Sequence, residues 1–122
     1  MKDGGGTTDR SNTESKVMPL GDLRQTDSIS VYTESSNYRF SILDPINRRG
    51  MLTGGALGDE LREAILIGAM SEDDGRYNRG ELKTGSRAVF LVTTNNCLNR
   101  MITSVVTDIA HINRAVDDNC AA

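Results

Sequence analysis

The order of apolar and polar positions along this chain predicts short β-strands. Apolar or β-branched residues recur at every second position over 29–33, 38–42 and 89–93. A two-residue period is that of a strand with one buried face. Turns rich in Ser, Asn, Asp and Gly separate these segments, as is usual between strands. We therefore expect a mainly β protein, built as a small antiparallel β-barrel or rolled sheet of about six strands.

Turn-forming residues mark the boundaries of the first three expected strands. Strands at 28–34 and 38–43 are separated by a connection of hairpin length and should pair antiparallel. Pro45 then interrupts the pattern, because proline donates no ladder hydrogen bond, and a third strand follows at 48–53. A bulge or sharp corner is expected next, at Gly54, Gly55 and Gly58.

The segment 59–70 fits two structures. Its apolar residues recur at helical spacing from Leu61 to Ala69, and Asp59 could serve as an N-cap. The run Ile65-Leu66-Ile67 is equally typical of a buried strand. We favour a strand over 63–69, because the neighbouring segments are strands.

A hairpin dominates the second half of the chain. A fifth strand is expected to begin at 81–83, to bend at Gly85 and to continue through 87–93. The turn around Asn95 and Asn96 then leads into a strand at 100–106, since Asn tolerates left-handed backbone. Both faces of this hairpin carry apolar residues, which predicts the centre of the sheet.

The chain of 122 residues is the size of one domain. Residues 1–16 contain no apolar residue after Met1, so we expect a disordered tail. A β domain should cover 17–110, with Leu20 and Leu23 closing one end of its core. Residues 111–122 are expected to form a loose C-terminal tail.

Composition argues against several classes of function. A net charge of -3 and a pI near 5.1 give no overall attraction to nucleic acid or anionic lipid. The longest apolar run, 64–70, is far shorter than the roughly 20 residues that cross a bilayer. Two cysteines, Cys97 and Cys120, are too few for a disulfide framework. We expect a cytoplasmic protein that does not bind membranes.

The residues that carry chemistry do not assemble into a recognisable active site. A calcium-loop pattern that starts at Met70 has Asp74, Gly75 and Glu81 at suitable positions, but Met70 offers no ligand oxygen. His111 is the single histidine, so any catalytic dyad or histidine metal site would depend on it. We assign no catalytic, cofactor or metal residues from the sequence.

Arginines beside the expected strands are the most suggestive polar group. Several could share one sheet face with a tyrosine, as in small nucleic-acid-binding barrels. Interspersed acidic residues and few aromatic residues argue against nucleic acid. The candidate partner-binding residues are Tyr32, Arg39, Arg48, Arg49, Arg87 and Arg100.

Three segments resemble small, uncharacterised bacterial β-domain proteins. They are the run Ser30 to Tyr38, the Gly-Gly pair near residue 54, and the closing run Ile102 to Ile109. The resemblance covers about two thirds of the chain. It implies a β fold and carries no activity.

The sequence thus favours a non-enzymatic binding or regulatory module without a cofactor. Its expected partner is another protein or a second copy of the chain, through a sheet face, a loop or an exposed edge strand. Two alternatives remain open. One is a nucleic-acid-binding small barrel that uses the arginines, and the other is a hydrolase or metal-dependent enzyme centred on 72–81 with His111.

Overall fold

Nine β-strands make up most of the computed structural model, which describes residues 16–112. Two short 3-10 helices, Leu20–Asp22 and Gly55–Leu57, lie between strands. No α-helix occurs within 16–112, and no helix there is long and apolar enough to span a bilayer. The strands are β1 Val17–Pro19, β2 Ser28–Thr33, β3 Asn37–Asp44, β4 Arg49–Gly54, β5 Arg62–Ser71, β6 Tyr77–Asn78, β7 Glu81–Lys83, β8 Ser86–Thr94 and β9 Cys97–Ile112.

Six strands close into an antiparallel barrel whose order follows the chain. β2 pairs with β3, β3 with β4, β4 with β5, β5 with β8, and β8 with β9. β9 then pairs with β2, which completes the circle. The topology is therefore up-and-down. The expected mainly β, six-strand antiparallel barrel is confirmed.

The barrel interior is filled by aliphatic side chains around two aromatic rings. Phe40 and Phe90 meet edge to face, with ring centroids 5.5 Å apart, an arrangement that the quadrupoles of the rings favour. Every second residue of a strand points inward, so the sequence alternation and the core agree. The other buried core residues from the barrel strands are Ile29, Val31, Ile42, Leu52, Ala64, Leu66, Ala88, Val92, Val106 and Ile109.

Separate elements close the two ends of the barrel. At one end β1 pairs with β7 in a small two-stranded sheet, and Leu20, Leu23 and Leu82 extend the core there. The expectation that Leu20 and Leu23 close one end is therefore confirmed. At the opposite end, where β4 finishes, Leu57 of the second 3-10 helix packs against the core.

The ambiguous segment 59–70 is a strand, as we expected. β5 covers Arg62–Ser71 and carries a bulge between Leu66 and Gly68, where its register with β8 shifts. Gly68 has φ +144°, and a Cβ there would lie 2.1 Å from the carbonyl oxygen of Asn78. The glycine therefore permits the close approach of β6, which pairs with β5 just beyond the start of β4.

Two expected boundaries differ from the structure. Glu81–Lys83 does not begin the fifth barrel strand, because it pairs with β1 and a turn at Gly85, with φ +87°, separates it from β8. β9 continues to Ile112, so His111 belongs to a strand and not to the tail expected at 111–122. Residues 1–15 and 113–122, which hold the rest of the two expected tails, lie outside the described residues.

Hydrogen bonds of Asp27 connect the segment before β2 to two other strands. It is fully buried, and its Oδ2 accepts a hydrogen bond from the Arg24 backbone N–H at 3.0 Å and lies 2.8 Å from His111 Nε2. Its backbone carbonyl accepts a bond from the N–H of Ile42. Within the described range, Oδ1 has no hydrogen-bond partner. The residue thus joins the loop before β2 to β3 and to the end of β9.

Phe90→Ala should destabilise the barrel far more than Leu91→Ala. Phe90 is fully buried in the core, whereas Leu91 points outward and is half-buried. Truncation of Phe90 leaves a cavity and should lower the free energy of unfolding by about 3 to 5 kcal/mol. The cost for Leu91 should be about 1 kcal/mol. Urea unfolding measures both, and equal losses would contradict the assignment of inward and outward faces.

Candidate functional site

The six candidate partner-binding residues do not form one surface. Tyr32 and Arg39 lie on the outer side of β2 and β3, where they line a shallow groove of about 300 Å³. Thr53 and Asp59 border the same groove. The structure therefore brings together two of the six, and the groove has a mixed polar lining without a concentration of positive charge.

The arginines at the start of β4 are engaged locally. Arg48 donates a hydrogen bond to the backbone carbonyl of Arg79. Arg49 forms an ion pair with Glu63 on the neighbouring strand β5. Cross-strand ion pairs of this kind are common on exposed sheet faces. These two side chains hold β4, β5 and the segment after β6 together.

Arg87 is held by a carboxylate. Its Nε and Nη2 donate to the two oxygens of Glu72 at 2.7 and 3.1 Å, and its Nη1 donates to the Thr103 carbonyl at 3.3 Å. Such a two-point contact matches the shape of both groups. The hydrogen bond and charge of Arg87 lower the pKa of Glu72, and Glu72 in turn raises the pKa of Arg87. The pair fastens the loop after β5 to β8.

Arg100 makes a different kind of contact. Its Nη1 donates to the hydroxyl of Tyr77 at 2.7 Å. Tyr77 is on β6 and Arg100 on β9, with β5 and β8 between them. Three strand spacings amount to about 14 Å, so both side chains must extend across the outer surface of the sheet. Val89 points to the same outer surface, yet it is only 1% exposed and lies outside the core cluster.

The outer surface of β5, β8 and β9 is unusually apolar. Because the side chains of Leu66, Phe90 and Met101 point inward, the residues that alternate with them point outward. Cross-strand pairs place Ile65 beside Leu91, Leu91 beside Arg100, and Val89 beside Ile102. We call this the apolar face, and its members are Ile65, Ile67, Leu91, Leu98 and Ile102; Val89 lies among them but is buried.

The opposite side of the barrel has the composition expected of a solvated sheet. The outward positions of β2 and β3 are mainly Ser, Asn, Arg and Tyr, as at Ser30, Tyr32, Asn37, Arg39 and Ser41. An outer sheet face in water is normally polar. On the apolar face Leu98 is exposed and the other members are half-buried, so this surface is partly accessible to another molecule.

One edge of β9 borders this apolar face and has no neighbouring strand among residues 16–112. β9 pairs with β8 from Cys97 onward, but β2 pairs with β9 only from Val106 onward. Over Cys97 to Ile102 the side of β9 away from β8 is therefore open. Residues 97–100 are exposed there, and the side chain of Leu98 is 54% exposed.

The hairpin turn determines which backbone groups this edge presents. Asn95 and Asn96 have φ of 53° and 67°, typical of a two-residue type I′ turn. In such a hairpin Cys97 exchanges hydrogen bonds with its partner on β8, as do Asn99 and Met101. The N–H and C=O groups of the intervening residues therefore point away from β8. We call these three residues the open edge, and they are Leu98, Arg100 and Ile102.

The alternative chemical sites considered from the sequence do not gain support. No group of three or more His, Cys, Asp or Glu side chains within 16–112 is arranged to hold a metal ion. In the calcium-like loop, Asp74 pairs with Arg76, and Asp74 and Glu81 line an open polar depression. His111 contacts Asp27 and not this loop. Cys97 is an exposed free thiol, and Cys120 lies outside the described residues.

Sequence reasoning found Arg100 but missed Leu98 and Ile102. The signal for their backbone orientation was present, because a two-residue Asn-Asn turn sets the hydrogen-bonding alternation of the hairpin. The signal for an open edge was not, because it depends on where β2 stops relative to β9. That offset is a property of barrel closure.

The Glu72–Arg87 pair makes a pH prediction. Because the folded-state pKa of Glu72 is lowered, the stabilisation from this carboxylate is present above its unfolded pKa and is lost as pH falls through the folded pKa. In an NMR titration the Glu72 carboxyl should have a midpoint below that of an unfolded glutamate. Arg87→Gln should raise it toward the ordinary value, whereas Arg76→Gln should not. A midpoint unmoved by Arg87→Gln would contradict the assigned pair.

Hydrogen exchange measures the open edge directly. The backbone N–H groups of Leu98, Arg100 and Ile102 should exchange quickly, because no described strand accepts their hydrogen bonds. The N–H groups of Asn99 and Met101 should be protected, because they bond to β8. Residue-resolved NMR exchange would show this alternation. Uniform protection from 98 to 102 would mean that the edge is covered.

Comparison with known proteins adds no relative from which a function could be carried over. The chain matches no protein-family model and has no significant match among curated proteins or solved structures. The functional conclusion therefore follows from the geometry of the barrel and its open edge.

Proposed function

We propose that this protein is a non-enzymatic binding module that holds an extended segment of a partner protein as an added strand on the open edge of β9. The observation that supports this proposal is the backbone of Leu98, Arg100 and Ile102, which lies next to the apolar face and pairs with no strand from residues 16–112 on its side away from β8. Strand addition is a recurrent mode of peptide recognition, in which backbone bonds supply affinity and side-chain contacts supply specificity.

The geometry suits such a partner in two respects. The three residues present three N–H donors and three C=O acceptors in one row, which an extended chain can match. Their side chains point to the outer surface, so a bound strand would place every second side chain beside the apolar face. Burial of those side chains would add hydrophobic stabilisation at about 25 cal/mol per Å².

The two alternative functions have less support. For nucleic acid, the candidate arginines would have to be available on one face, but Arg49 and Arg87 pair with carboxylates and Arg39 lies on the other side of the barrel. For a hydrolase or metal-dependent enzyme, the loop 72–81 and His111 would have to meet. His111 lies against Asp27 instead.

We further propose that the module works in the bacterial cytoplasm. The exposed free thiol of Cys97 suits a reducing compartment, where thiols persist. The resemblance to small bacterial β-domain proteins supports the bacterial origin.

Leu98→Pro and Leu98→Ala form a matched pair that tests strand addition. Proline removes the Leu98 N–H that points to the open edge but none of the hydrogen bonds to β8, and alanine keeps that N–H. A phage-displayed library of random ten-residue peptides would be selected on the wild-type protein. Selected peptides should lose at least about tenfold in affinity for Leu98→Pro, and about threefold or less for Leu98→Ala.

A folding control and a hydrogen-exchange measurement complete this test of strand addition. Unchanged circular dichroism and melting temperature would establish that Leu98→Pro is folded. Peptide binding should also slow hydrogen exchange at Arg100 and Ile102. If selected peptides bind both variants equally, or protect another surface, strand addition at β9 is wrong.

A further inference from the structure

Arg100 lies at the centre of the open edge, and its guanidinium has more N–H donors than its contact with Tyr77 uses. Its side chain lies on the outer surface and extends over β8 toward β6, where one of its guanidinium nitrogens donates to the Tyr77 hydroxyl. A guanidinium carries five N–H donors, so several remain. Within residues 16–112 no carboxylate forms an ion pair with it, in contrast to Arg49 and Arg87.

The residues on either side of Arg100 along the edge are apolar. Leu98 and Ile102 point to the same outer surface, two positions away in each direction. On one face of a sheet, side chains directly opposite on neighbouring strands interact, and opposite charges stabilise the pair while like charges destabilise it. The edge therefore carries an apolar, a basic and an apolar residue in series, and Arg100 must turn away from Tyr77 to face a strand that lies beside them.

We propose that the bound segment carries a carboxylate side chain opposite Arg100, between two apolar side chains opposite Leu98 and Ile102. This inference rests on the strand addition proposed above and specifies its partner. The segment has alternating character, with apolar, acidic and apolar residues at every second position. Arg100 selects the acidic residue, and the two flanking residues extend the apolar face onto the partner.

The same arginine disfavours a second copy of this chain at the edge. Two copies of β9 that pair antiparallel about a two-fold axis, with all three open-edge residues of each engaged, bring Arg100 opposite the partner's Arg100. Like charges directly opposite each other are destabilising. A charged residue on an exposed edge is a recognised protection against edge-to-edge association. The charge thus favours a different, acidic partner.

Two synthetic peptides test the proposal. Each has seven residues and blocked ends, with threonine at the odd positions and valine at the second and sixth. The fourth residue is glutamate in one peptide and lysine in the other. The pattern reads identically in both directions, so the outcome does not depend on whether the strand is parallel or antiparallel. Binding is followed by NMR at the amides of Leu98, Arg100 and Ile102.

Wild-type protein should bind the glutamate peptide about fivefold more tightly than the lysine peptide. Arg100→Glu should reverse this preference. Arg39→Glu changes the net charge by the same amount on the opposite side of the barrel, and it should leave the preference unchanged. Reversal in Arg100→Glu together with an unchanged Arg39→Glu supports a carboxylate opposite Arg100.

The remaining outcomes separate this inference from the proposed function. Equal binding of both peptides at the open edge would overturn the role of Arg100 and leave strand addition standing. If neither peptide shifts the three edge amides at millimolar concentration, strand addition fails and this inference fails with it. Sedimentation that shows a wild-type dimer dissociated by Leu98→Pro would assign the edge to a second copy and overturn the acidic partner.

Discussion

Closure of the sheet between β9 and β2 is the constraint on which the other features of this barrel depend. A closed barrel requires its strands to tilt and to be staggered along one another. β9 is 16 residues long, and it pairs with β8 through its first part and with β2 through its second part. The stagger that permits closure therefore leaves the early part of β9 without a neighbour in the described barrel. The open edge is a geometrical result of the architecture.

Among residues 16–112, two of the candidate partner-binding arginines pair with carboxylates and Arg100 pairs with none. Arg49 and Arg87 are matched by Glu63 and Glu72, and these pairs connect neighbouring segments. Arg100 instead reaches a neutral hydroxyl across two strands. A cation in the middle of an apolar area has two effects, since it discourages association of like edges and attracts a carboxylate. Both effects follow from the charge of Arg100, which no carboxylate within the described barrel matches.

The sequence was sufficient for the barrel strands and for the pairs that are adjacent along the chain, but not for pairs between strands distant in sequence. Alternation identified β2, β3 and β8, and the Asn-Asn turn identified the β8–β9 hairpin, because both signals are local. Glu81–Lys83 was assigned wrongly to the fifth barrel strand, because three residues look the same in either sheet until β1 is placed beside them. The apolar face of the hairpin was detected, but it was interpreted as burial at a sheet centre.

The candidate site, like the fold, was only partly predictable from the sequence. Arginines on strands are visible in the sequence, whereas their partners are not. Arg87 and Glu72 are 15 residues apart, and Arg100 and Tyr77 are 23 apart. Such contacts depend on the register of β5 with β8, which includes a bulge that no local pattern specifies. The difference between an engaged and an available arginine therefore required the folded barrel.

The contact between Asp27 and His111 has a consequence for how the chain folds. It joins residues 84 positions apart, at the two strands that meet last around the circumference. Proteins whose contacts are distant in sequence fold slowly, in milliseconds to seconds, because loop entropy is lost before those contacts form. Until β2 docks, the second part of β9 is also unpaired, and the nascent barrel exposes a 16-residue strand edge. An unpaired strand edge of that length is a template for aggregation, and closure against β2 removes its second half.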